Sequence, residues 1–119
     1  MASDRRHILG RYGEEMASAY LQSIGYQEVE RNFRSRSGEI DLVMRDQDAW
    51  VFVEVKTRNS KTHEAALVAI DETKLARIRR TIADYLQARS ITAGRIRLEA
   101  LSVLVASGQV SFDHLKAVA

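Results

Sequence analysis

The chain contains no cysteine and no proline, only six glycines, and aromatic residues make up 7% of its 119 positions. Without cysteine there is no disulfide and no thiolate zinc or redox site, which fits a reducing cytoplasm. Without proline nothing interrupts helices or strands by a missing N–H donor. No apolar run approaches the roughly 20 residues that a bilayer-spanning helix needs, and the start, MASDRRH, is followed by no hydrophobic segment. Neither a signal peptide nor a membrane span is expected. Charge of one sign is also scarce. Charged residues make up 29% and nearly cancel, leaving a formal +2 and a pI near 9.1. Such a mild basic excess identifies a partner only where it clusters. With 45% hydrophobic residues, the expectation is one soluble domain spanning residues 1–119 with a modest core.

The stretch from Glu39 to Arg58 organises the rest. Two apolar runs flank a polar turn at Arg45, Asp46, Gln47 and Asp48, the pattern of a hairpin. Successive strand side chains point to opposite faces, so burying Ile40, Leu42 and Met44 with Val51, Val53 and Val55 makes one apolar face. That parity sends Asp41, Glu54 and Lys56 to the other face. With Gln47 and Asp48 at the tip, Asp41 stands opposite Glu54 and Glu39 opposite Lys56. A slip of one residue would break up the apolar face.

Two carboxylates and an ammonium suit a hard divalent cation. Mg²⁺ takes oxygen ligands, commonly one or two carboxylates completed by water and phosphate. A nearby lysine can reach an attacking water or a scissile phosphate. The plainer alternative is a solvated hairpin face with cross-strand ion pairs, such as Glu39 with Lys56.

Around the hairpin, the spacing predicts a helix from Asp4 to Ile24, with Ile8, Tyr12, Met16, Tyr20 and Ile24 recurring every fourth residue and Leu9, Ala17 and Leu21 beside them. Gly10 and Gly13 lie inside it, costing about 1 kcal/mol each relative to alanine. They suggest close approach of another backbone, or an irregular first turn. A short strand is expected from Tyr26 to Phe33, then a basic turn Arg34-Ser35-Arg36-Ser37-Gly38. Its arginines could contact phosphates or simply solubilise a loop. Asn59 to His63 reads as a polar loop, and 64–70 as either helix or buried extended chain. No catalytic role is expected of His63. Asp71 caps a second helix whose apolar stripe is Leu75, Ile78, Ile82, Tyr85 and Leu86. Lys74, Arg77, Arg79, Arg80 and Arg89 make this helix basic, which by itself describes a solvated face. Strands follow at Arg95–Val105 and Gln109–Asp113, and the tail from His114 is expected to be poorly ordered.

Asp41 followed by Glu54-Val55-Lys56 resembles the D…(D/E)-x-K signature of the restriction-endonuclease-like nuclease superfamily. GEIDLV followed by VFVEVKTR is similar to the YraN family, small bacterial proteins assigned to that fold. Gly13-Glu14, Ala17, Leu21, Gly25, Asn32, Arg34 and Lys74 extend the resemblance over nearly the whole chain. It departs at His63, where the family tends to have glycine, and at Glu99, where it tends to have aspartate. The Glu99 change is expected to leave the metal site alone.

The resemblance implies an α/β fold, αβββαβ, with a mixed central sheet flanked by helices. It implies a nuclease hydrolysing phosphodiester bonds with Mg²⁺ or Mn²⁺. Asp41 and Glu54 would be ligands aided by the Val55 carbonyl, Glu14 a helix carboxylate approaching the metal, and Lys56 the residue at the attacking water. Arg34, Arg58 and Lys74 are the expected contacts to nucleic acid, DNA being favoured over RNA. Archaeal Holliday-junction resolvases have similarly small cores and act as dimers on branched DNA, so a homodimer and a branched substrate follow by analogy alone. The competing class is a non-catalytic nucleic-acid-binding or scaffold module that keeps the nuclease fold.

Overall fold

The structure is a computed structural model. It describes residues 2–58 and 71–116, with side chains described from residue 10 onward. Helix α1 spans Ala2–Ser23 and is followed by three strands, β1 (Gln27–Ser35), β2 (Gly38–Asp46) and β3 (Ala49–Arg58). Helix α2 (Glu72–Ala88) then leads to β4 (Arg95–Ala106) and β5 (Gln109–Leu115). The strands form a five-stranded mixed sheet in the order β1-β2-β3-β4-β5. Three neighbouring pairs are antiparallel, and β3 and β4 run parallel. A parallel neighbour cannot be reached through a tight turn, so the chain must cross over, and α2 lies on that crossover. The α/β architecture with a mixed sheet and two flanking helices agrees with the expected αβββαβ core. The predicted loop at Asn59–His63 and the ambiguous 64–70 lie outside the described residues.

Alternation along the central strands divides the core in two. Leu42, Met44, Val51 and Val53 pack with Ala17, Leu21 and Tyr26, beneath α1. Val43 and Phe52 face the other way and pack with Ile78, Ile82 and Tyr85 of α2. Ile40 corrects the sequence reading, since it joins Phe33 and Val43 on the α2 side instead of Leu42 and Met44. The cause lies in β1, where Asn32 adopts a left-handed backbone with φ 54°. It stands between the register pairs Arg31–Leu42 and Phe33–Ile40. A residue there breaks the two-residue alternation, so Arg31 reaches Glu15 of α1 while Phe33 packs edge-to-face on Tyr85 of α2.

Helix α1 buries only one side of its predicted apolar face, with Met16 and Tyr20 packed at the margin of the core. Ala17 and Leu21 are fully buried, whereas Tyr12 and Ile24 are more than 40% exposed. Gly13 explains which side, because a Cβ there would overlap the Thr57 side chain of β3. The glycine lets the helix rest directly on the strand that carries Glu54 and Lys56. Gly10 has no such neighbour within 4 Å. Helix α2 matches its predicted face, with Ile78, Ile82 and Tyr85 buried. Its Asp71 cap accepts the Lys74 backbone N–H at 2.8 Å. His114 and Leu115 belong to β5 instead of a loose tail.

A candidate acidic cleft between the two helices

The register predicted for the hairpin is the one observed. Asp46 pairs with Ala49 and Leu42 with Val53, which carries Asp41 to the level of Glu54. Backbone pairing between β2 and β3 runs only as far as Leu42–Val53, while β3 stays paired to β4 through Arg58. At this opening a side chain replaces the ladder: the Val55 N–H donates to Asp41 Oδ2 at 2.7 Å.

Asp41 is pushed up to about 7. Burial is the main cause, followed by the negative charge of Glu54, with smaller contributions from Glu14 and Glu39. The Val55 N–H opposes the shift without cancelling it. Four carboxylates from α1, β2 and β3 thus act on one another. Glu14 accepts the Asn32 amide at 3.1 Å and shares with Glu39 and Asp41 a cleft of about 620 Å³ that Arg11 and Arg34 border. Glu15, one residue on, is exposed and pairs with Arg31 on the solvent side.

On the α2 side of the same carboxylates, Glu54 meets two ammonium groups. Lys74 Nζ lies 3.2 Å from Glu54 Oε1 and Lys56 Nζ 3.7 Å from the same oxygen. Lys56 is held below the usual lysine range by burial and by the adjoining Lys74. Lys74 is held above it: burial works against the charge, but its hydrogen bond to Lys56 and the carboxylates outweigh that. Of the two, Lys56 therefore gives up its proton first. A smaller cleft of about 190 Å³ opens here between Glu39, Glu54, Lys74 and Arg77.

Most of the predicted site residues converge. Asp41, Glu54, Lys56 and Lys74 meet, Glu14 borders the cleft, and Arg34 stands at its rim with its side chain 76% exposed. Arg58, at the end of β3, is exposed. Glu39 does not pair with Lys56; it pairs with Arg34 at 3.4 Å, because Lys56 turns to Glu54 instead. Phe52 is buried and Trp50 half-buried against Tyr85, so both aromatics pack under α2. Arg77 was legible only as part of a basic helix face, and Asp84 of α2 was not singled out at all, since one aspartate within such a face carries no pattern of its own.

Glu99 lies elsewhere. It is fully buried on the α1 side of β4 and accepts from Tyr26 Oη at 2.9 Å and Arg97 Nε at 2.9 Å, with His114 Nε2 2.6 Å away. Arg97 also donates to Asp46 at 2.7 Å. Burial and then Glu99 push the Tyr26 hydroxyl up to about 12.

The residues suit a hard cation by the chemistry of their donors: carboxylate oxygens close together, one of them pushed up to about 7 by burial and by its neighbour Glu54. Among the described residues no three His, Asp or Glu side chains already converge as a group that could hold a metal ion. Two carboxylates with water meet the usual demand of Mg²⁺.

The relatives are bacterial. The chain is 37% identical to a UPF0102 protein of Herpetosiphon aurantiacus, over 99% of this chain and 98% of that one. It is 40% identical to a UPF0102 protein of Beutenbergia cavernae, covering 95% and 97%. One from Streptomyces griseus is 44% identical over 84% and 85%. A solved structure, the crystal structure of SSO0001, is similar at a TM-score of 0.37 and 15% identity, covering 94% of this chain and 52% of that one. The chain spans about half the length of that protein, and so distant a likeness carries no weight for function. Among the described residues no helix is long and apolar enough to cross a membrane. The model of Uncharacterised protein family UPF0102 matches residues 13–105, and the chain belongs to that family.

Proposed function

We propose that this protein is a divalent-metal-dependent nuclease acting on DNA. One observation carries the reading: Asp41 and Glu54 lie level on adjacent strands where their pairing opens, and Lys56 and Lys74 meet the same Glu54 oxygen. A hairpin face that was merely solvated would not hold Asp41 near a pKa of 7 or leave one lysine depressed beside another.

Asp41, Glu54 and the Val55 carbonyl would hold Mg²⁺ or Mn²⁺, with Glu14 at the cleft's margin. Such a cation, when bound, polarises the phosphate and makes its water more acidic. Lys56, in its amine form, orients the attacking water and takes its proton as oxygen attacks phosphorus. The P–O bond to the leaving nucleotide then breaks, and solvent protonates the departing oxygen. Lys74, Arg34 and Arg58 hold backbone phosphates by charge. Branched DNA and a dimer remain attached to the resemblance.

The test is cleavage of labelled single-stranded, duplex, flap and four-way-junction DNA and of RNA, with Mg²⁺ or Mn²⁺. Asp41→Ala and Lys56→Ala are purified identically. Cleavage by the wild type alone supports the enzyme, and the favoured substrate names its class. Equal activity in Asp41→Ala removes the assignment. Binding of the panel with no cleavage by any of the three favours a non-catalytic binding module.

A further inference from the structure

The geometry points to a second nucleic-acid groove, on the outer side of β1, that holds the strand flanking the scissile phosphate. This inference rests on the nuclease reading of the cleft. Asn32 and Arg34 border two depressions at once. One is the cleft over Asp41, and the other is a groove of about 560 Å³ between β1 and α2, reaching Arg36 and Arg89. The two meet across the β1 edge at Arg34.

The charges of the groove are sorted in a way that favours a polyanion. Both carboxylates bordering it are already engaged. Glu30 takes Arg89 through two bonds, at 2.9 and 2.6 Å. Asp84 accepts Ser35 and Ser37 hydroxyls at 2.7 Å each. Arg34 and Arg36 are the exposed cations left. Among the described residues Arg34 pairs with Glu39 at 3.4 Å, a solvent-facing pair worth little, so a phosphate can replace it.

The turn that presents these arginines is fastened to α2. Besides the two serine bonds to Asp84, Ser37 N–H donates to Ser35 Oγ at 3.1 Å. Gly38, with φ 155°, lies so near α2 that a Cβ would come within 3.0 Å of Thr81 Oγ1. Asp84 is thus a positioning residue. It holds the turn so that Arg34 faces the cleft and Arg36 the outer groove. A turn serving solubility alone has no use for such fastening.

The two roles of Asp84 have opposite signs, and the experiment uses this. Binding of a fluorescent oligodeoxythymidine of about 15 nucleotides is followed by anisotropy against salt, in EDTA. The background is Asp41→Asn, which prevents cleavage and removes one repulsive charge. Wild-type thermal unfolding is required of each added variant. Arg36→Ser is expected to weaken binding several-fold and lower the slope of log K against log salt by about 0.7, one phosphate contact on a single strand. Asp84→Ala removes a negative charge, so electrostatics alone would tighten binding. The positioning role predicts weaker binding and a smaller slope, with Asp84→Asn restoring both. Unchanged or tighter binding in Arg36→Ser and Asp84→Ala, while Arg77→Ser weakens it, sends the flank over α2 and overturns the groove while leaving the nuclease intact. If the parent binds no probe at about 50 mM salt, the nuclease reading falls as well.

Discussion

Replacing Asp41 with asparagine is expected to stabilise the metal-free protein, increasingly so as the pH rises. In the folded chain Asp41 titrates near 7, against 3.8 for an unperturbed aspartate. Between those values the folded state binds more protons at this position than the unfolded state, so its stability falls as pH rises. Below pH 4 the carboxyl is neutral in both states and nothing is lost. Above pH 7 the full penalty applies. A difference of about three units at about 1.36 kcal/mol each comes to about 4 kcal/mol. Asparagine stays neutral throughout and keeps an oxygen for the Val55 N–H, so it escapes most of that penalty. For a chain of this size about 3 kcal/mol corresponds to roughly 10 °C in Tm. The quantity to follow is the difference in Tm between Asp41→Asn and wild type from pH 4 to 8.5, in EDTA. Taking the difference cancels carboxylates common to both proteins, among them Glu28, Glu30 and Asp84, which lie below their usual range and make the whole protein less stable in acid. The difference should be near zero at pH 4 and grow through the window between 4 and 7. Millimolar Mg²⁺ at pH 8 should raise the wild type alone and close the gap. A difference that does not vary with pH, or a wild type the more stable of the two at pH 8, would refute the reasoning.

Gly13→Ala should destabilise by about 1–3 kcal/mol through overpacking on Thr57, despite a helix-propensity gain near 1 kcal/mol. Adding Thr57→Ala should recover much of the loss in a denaturant double-mutant cycle. Glu99→Gln leaves Arg97 and His114 facing a neutral amide in a buried pocket. It should cost about 3 kcal/mol in urea unfolding and leave cleavage per folded molecule unchanged. Lys74→Met removes the ammonium that helps depress Lys56. The acid limb of the pH–kcat profile should therefore move to higher pH, while substrate binding becomes less sensitive to salt.

The parity of the hairpin was legible because two independent requirements agreed on it. An unbroken apolar face and a short tip both put Asp41 level with Glu54. The second helix was equally plain, since its cap and its apolar spacing coincide. Ile40 escaped the same logic because one left-handed residue on the neighbouring strand changed the face, and asparagine announces that conformation only weakly. The buried side of α1 was hidden for a related reason. Its tightest contact is made by a residue without a side chain, and hydropathy periodicity does not register a glycine as buried. Asp84 could not be found from sequence at all. Its meaning comes from two serines 47 and 49 positions away, brought to it only by the packing of α2 against the β1–β2 turn.

The Val55 N–H, held by a carboxylate where a neighbouring strand would normally supply a carbonyl, makes the backbone itself a listener to the cleft. Its hydrogen bond strengthens when Asp41 ionises and slackens when Asp41 takes a proton or turns toward a cation. The exchange of one amide hydrogen with solvent therefore records the charge state of the site, without substrate and without turnover. A strand edge left open beside the cleft carries its own indicator.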